Sequence, residues 1–133
     1  MRVMVFVKAT PDYEAGTQEL TEDEYAAMMR YNEELTRAGV LLATDGLYPS
    51  SKGARVEFTG ERRTVVDGPF AETKELVAGF WLWQVTSMDE AIEWARRCPN
   101  PKGRDGTIEI RPVYERPDFE ATLHADSAFP SAG

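Results

Sequence analysis

Leu76-Val77-Ala78-Gly79-Phe80-Trp81-Leu82-Trp83-Gln84-Val85 is the stretch that decides the architecture. It is rich in aromatic and β-branched residues and short for a helix, so it reads as a strand. Side chains alternate along a strand, which puts Val77, Trp81, Trp83 and Val85 on one face with Gly79 among them. Leu76, Ala78, Phe80 and Leu82 then share the other face. Both faces are apolar, whereas a sheet open to water on one side alternates apolar with polar. Burying the two tryptophans is worth several kcal/mol at ~25 cal/mol per Å². Helices are expected to cover one face. A second copy of the chain, packed sheet to sheet, is the natural cover for the other, although an inserted hairpin could cover part of it within one chain.

Outward from this strand, local signals place the other elements. Residues 2–8 form an apolar first strand, and Pro11, Asp12 and Gly16 break it into a loop. Thr21-Glu22-Asp23-Glu24 is a capping box, and Tyr25, Met28, Met29, Asn32 and Leu35 follow at helical spacing up to Gly39. Residues 22–38 are therefore a predicted helix, and Val40 to Thr44 a strand. Arg55–Phe58 and Arg63–Val66 flank Thr59-Gly60-Glu61-Arg62 as a hairpin, and Pro69 stops its second arm. Ser87-Met88-Asp89-Glu90 opens a second helix with the stripe Ala91, Ile92, Ala95 and Cys98, and Pro99 stops it. Ile108 to Arg111 is the last strand. The order is β-α-β-(hairpin)-β-α-β, the ferredoxin-like βαββαβ plan of an α+β protein with an inserted hairpin. Residues 1–114 make one domain. Residues 115–133, rich in Pro, Ala, Ser and charge, are expected to be loosely ordered or to lie on a neighbour.

The 133 residues suffice for a core without disulfide or metal. A formal net charge of −8 repels nucleic acid, and Arg62-Arg63 and Arg96-Arg97 are too small a footprint to reverse that. Cys98 is the single cysteine, which excludes an intrachain disulfide and points to a reducing compartment. The apolar run at Arg2–Lys8 is too short for a signal peptide, and no stretch has the ~18 apolar residues of a membrane span. A soluble, cytoplasmic protein with no membrane partner is the expectation. No phosphate loop or dinucleotide fingerprint occurs, and no spacing points to a metal or cofactor.

Val66 to Glu75, with Asp67-Gly68-Pro69-Phe70 at its heart, resembles the signature of the DGPF branch of the YCII-related family. Phe6-Val7-Lys8, Ala38-Gly39-Val40-Leu41, Gly46-Leu47-Tyr48-Pro49, Gly79-Phe80-Trp81, Ala95-Arg96-Arg97-Cys98-Pro99 and Glu109-Ile110-Arg111-Pro112 agree in order. The resemblance implies ferredoxin-like subunits paired into a dimeric α/β barrel. It also implies a link of some members with sigma factors of the extracytoplasmic-function type. Some relatives are thought to use a His/Asp pair, but here the one histidine is His124, in the expected tail.

Candidate site residues follow from type and placement. Asp67 is either a general base or anion at a cavity rim, or a cap for its own turn. Gly68 is read as a source of positive φ, Pro69 as a loop brace and Phe70 as a packing anchor. Glu72 is a second candidate base, and Lys74 shares its face. Lys8, Glu109 and Arg111 fall on the face away from Ile108 and Ile110, where they either hold an acidic ligand or bridge subunits. Tyr48 can stack on a ligand. Three functions fit: a dimeric cavity protein for a small acidic or aromatic molecule, a small dimeric-barrel isomerase, lyase or monooxygenase using Asp67 or Glu72, or an accessory protein of a sigma factor.

Overall fold

The first strand, β1 (Arg2–Lys8), sets the pattern for the sheet: Val3 and Val5 are wholly buried while Met4 and Phe6, which alternate with them, are only partly covered. A computed structural model describes residues 1–123. β1 lies at the centre of a four-stranded antiparallel sheet with β2 (Leu41–Gly46), β5 (Val77–Gln84) and β6 (Ile108–Pro112), in the order β2-β5-β1-β6. That is the ferredoxin-like arrangement. The hairpin β3 (Ala54–Thr59) and β4 (Arg62–Asp67) forms a separate two-stranded sheet, turning at Gly60 with φ +61.

α2 (Glu22–Arg37) and α3 (Met88–Arg96) cover one face of the sheet. The Thr21 box is complete: its hydroxyl accepts from Glu24 N at 3.2 Å, and the Glu24 carboxylate accepts from Thr21 N at 3.3 Å. At α3, Ser87 Oγ accepts from Glu90 N, but the Glu90 carboxylate reaches back one residue further, to the backbone and hydroxyl of Thr86. The core between sheet and helices holds Val3, Val5, Tyr31, Leu35, Trp81, Trp83 and Trp94. Tyr31 packs edge-on to Trp81 with ring centroids 5.7 Å apart, and its hydroxyl donates to Trp94 O at 2.6 Å. The alternation read in β5 is the one observed: Gly79, Trp81, Trp83 and Val85 are buried on the helix face.

The opposite face carries Ala78 and the cross-strand pairs Met4 with Leu82 and Phe6 with Phe80, all half-buried. The hairpin does not cover it: every residue of β3 and all but Val66 of β4 are exposed.

Three readings are corrected. The stretch after β1 is not all loop, because Pro11–Glu14 form a helical turn, α1. Pro11 is preset for the first helical position, and Thr10 Oγ1 accepts from Tyr13 N at 3.2 Å. Residues Arg116–Leu123, expected to be loose, form a helix, α4. Asp118 accepts from Glu115 N at 2.8 Å, the Tyr114 and Phe119 rings pack at 5.1 Å, and Arg2 pairs with Glu115 at 2.9 Å. His124 and the rest of the tail lie outside the described residues. Gly68 has no positive φ; it is needed because a Cβ there would stand 1.7 Å from Ser50 O. The Gly68–Pro69 peptide is cis.

Candidate functional site, a cavity between helix and sheet

A cavity of about 910 Å³ opens on the helix side of the sheet. Gly79 stands at its wall beside Trp81, where a Cβ would come within 3.1 Å of the backbone O of Asp45 in β2. Trp81, Gly79, Val7 and Ile108 contribute the sheet wall, and Met28 and Asn32 of α2 stand across from them. Tyr13 of α1 closes one side; its hydroxyl donates to Ala78 O at 3.2 Å. The loop after α3, from Cys98 to Thr107, closes another. Leu20, Tyr25 and Met29 lie at the mouth and are exposed. A concave, mostly apolar space of this size with a few fixed polar groups has the form of a small-molecule site.

Two clamps hold the walls. The first is Glu24, the one charged side chain buried among the described residues. Its carboxylate accepts from Arg104 at 2.7 Å and pairs with Lys102 at 3.2 Å, so it ties the 98–107 loop to the start of α2. Burial alone would raise its pKa; the bonds from Arg104, Thr21 and Lys102 outweigh that and hold it at about 2. The second clamp explains the Asp-Gly-Pro-Phe run. Ser50 donates from its backbone N to Glu14 at 2.9 Å and from its hydroxyl to the same carboxylate, and the hydroxyl accepts from Phe70 N at 3.0 Å. Gly68 N donates to Gly53 O at 3.0 Å, and Arg55 lies over the Phe70 ring at 3.7 Å. The run is thereby bound through Ser50 to α1, the element that carries Tyr13 to the cavity.

Within the cavity Trp81 Nε1 donates to Asn32 Oδ1 at 2.9 Å. Cys98 is at the wall, but burial pushes its thiol up to about 11, so it is no thiolate nucleophile at neutral pH. The charged residues at the wall are Lys8, Arg96 and Arg104 against Glu24, Asp45 and Asp105, which leaves no net charge.

The residues singled out from sequence are distributed differently. Lys8, Glu109 and Arg111 are brought together on the open face of the sheet: Lys8 Nζ lies 3.9 Å from Glu109, and Arg111 lies 3.5 Å from the same carboxylate. Lys8 also borders the cavity; Asp67, Glu72, Lys74, Glu109, Arg111 and Tyr48 are not at its wall. Asp67 ends β4 and is exposed. Glu72 and Lys74 are exposed in and beside the 3₁₀ turn Thr73–Glu75. Tyr48 is 80% exposed, with Lys52 6.0 Å from its ring. Sequence reasoning missed Asn32 and Glu24 as site residues. The signal for Asn32 was present, since it is a polar residue at a core-facing position, i+4 from Met28. Glu24 was hidden by its capping role. Among the described residues no cluster of three or more His, Cys, Asp or Glu is placed to hold a metal, and no helix is long and apolar enough to cross a membrane.

An uncharacterised protein of Rhizobium meliloti (strain 1021) is 34% identical over 104 residues, covering 75% of this chain and 84% of that protein. A solved structure, 5-chloro-2-hydroxyhydroquinone dehydrochlorinase from Burkholderia phenoliruptrix AC1100 in complex with 2,5-dihydroxybenzoquinone, aligns over 86% of this chain and 94% of its own, at 17% identity and a TM-score of 0.46. The YCII-related domain is matched over residues 1–117, and the chain therefore belongs to the YCII-related family.

Proposed function

We propose that the protein is a homodimer that binds a small aromatic molecule in the helix-side cavity of each protomer. One observation carries this reading: the cavity of about 910 Å³ beside Gly79, walled by Trp81 and Met28 and crossed by one oriented amide, that of Asn32. The dimer rests on the open sheet face. Met4, Phe6, Phe80 and Leu82 form an apolar, half-buried surface that no helix among the described residues packs against, and a second copy packed sheet to sheet removes it from water. In such a pairing the trio Lys8, Glu109 and Arg111 lies at the seam, as a bridge between subunits or as the rim of a shared space.

Binding is favoured over catalysis. A base acting on a carbon acid needs a carboxylate raised by an apolar pocket. Asp67 and Glu72 are exposed and apart from the cavity, while Glu24, which is at it, is held low by its cations. Association with a sigma factor stands as a separate proposal, supported by the net charge of −8, which suits a basic partner. Co-purification with the sigma factor is its test.

The cavity reading is tested by native mass spectrometry of freshly purified protein, followed by tryptophan-fluorescence titration with a panel of one- and two-ring aromatic compounds. A bound mass, or a saturable change in fluorescence, is the expected result. A bare protein that no compound perturbs would refute the reading.

A further inference from the structure

We infer that the cavity selects an uncharged aromatic molecule with a carbonyl-type oxygen, which the Asn32 amide reads. The inference rests on the binding function proposed above and names its ligand class. An indole N–H donates and cannot accept, so the Asn32 atom 2.9 Å from Trp81 Nε1 is the amide oxygen. The same bond fixes the rest of the amide as well: Asn32 stands at the cavity wall, and its Nδ2, with two N–H donors, has no hydrogen-bond partner among the described residues. Two neighbouring hydroxyls have no proton left to offer a ligand oxygen in its place. The Tyr13 hydroxyl spends its proton on Ala78 O and the Thr44 hydroxyl spends its own on Phe80 O at 2.9 Å. The oxygens of Glu24 are engaged by Arg104, Lys102 and Thr21. A ligand that fills the space over Trp81 and Met28 therefore meets an unpaired donor pair set in apolar surroundings. Leaving such a donor dry costs more than an ordinary hydrogen bond gains. A ligand oxygen at that point resolves it.

The charge balance selects against ions. With Lys8, Arg96 and Arg104 offset by Glu24, Asp45 and Asp105, a carboxylate would lose its hydration without a cation left over to replace it. The planar walls and the thioether of Met28 suit a flat ring.

The test is calorimetric titration with three naphthalenes of one shape: 2-acetylnaphthalene, its oxygen-free isostere 2-isopropenylnaphthalene, and 2-naphthoate. The ketone is expected to bind about tenfold tighter than the isostere and tighter than the carboxylate. In Asn32→Asp at pH 8 the indole keeps an acceptor but the ligand loses its donor, so the preference for the ketone over the isostere is expected to vanish. Equal binding of ketone and isostere to the natural protein would overturn the inference and leave the cavity standing. The same holds if the carboxylate binds best. If none of the three binds, the cavity reading falls and the inference falls with it. The comparison within the natural protein needs no variant, so a misfolded Asn32→Asp would not shield the inference.

Discussion

Glu24 shows how one side chain takes two tasks. As the third residue of its helix it completes a capping box, which is visible in the sequence. As a buried carboxylate it holds Lys102 and Arg104, nearly 80 residues away, which is not. Its pKa, near 2, lies below the ordinary 4.5. A lowered carboxylate pKa adds stability that is complete above 4.5 and is lost as pH falls toward 2. Glu24→Gln is thus expected to lower the urea midpoint at pH 7, with the difference from the natural protein shrinking between pH 4.5 and 2. A difference that is constant with pH would remove the electrostatic account. Gly68 makes the second prediction at this scale. Its substitution by alanine drives a Cβ into Ser50 O, a backbone atom, and is expected to cost roughly 3 kcal/mol. Gly106→Ala, where nothing lies within 4 Å, is the control and is expected to be near neutral. Equal urea midpoints for the two variants would contradict this reading of the Asp-Gly-Pro-Phe run.

At the scale of elements, β5 and the two long helices were legible because their signals are local: a two-sided apolar strand, two caps and a stop. The hairpin was legible from Gly60 and its flanking β-branched residues. α4 was not, because its support is tertiary, through Arg2 to Glu115 and Tyr114 to Phe119. The cavity was least legible. It is built from α1, the mouth at Leu20 and the 98–107 loop, none of which has a period, and it forms only when residues far apart in the chain meet. The hairpin differs from the main sheet in having no apolar layer against it. Two strands alone are marginal in water, and Val56, Phe58 and Val65 are each more than half exposed. Hydrogen exchange is expected to reach the amides of β3 and β4 well before those of β5. Protection of the hairpin equal to that of β5 would show that something covers it.

For the whole molecule, the sheet has two apolar faces, and α2 and α3 cover only one. The sequence made this clear through Leu76, Ala78, Phe80 and Leu82. What it did not reveal is that a cavity lies on the covered side, within one chain. The dimer predicts that Met4→Glu with Leu82→Glu yields a folded monomer in sedimentation, since neither residue borders the cavity. A double variant that stays dimeric would place the interface elsewhere. Methionine methyl groups separate the two possible ligand locations directly, because Met28 and Met29 border the cavity while Met4 lies on the open face. The deciding measurement is a ¹³C-methyl NMR titration of methionine-labelled protein with 2-acetylnaphthalene. Shifts at Met28 and Met29 with Met4 unmoved are the predicted result. Shifts confined to Met4, which would put the ligand at the seam between sheets, would contradict it.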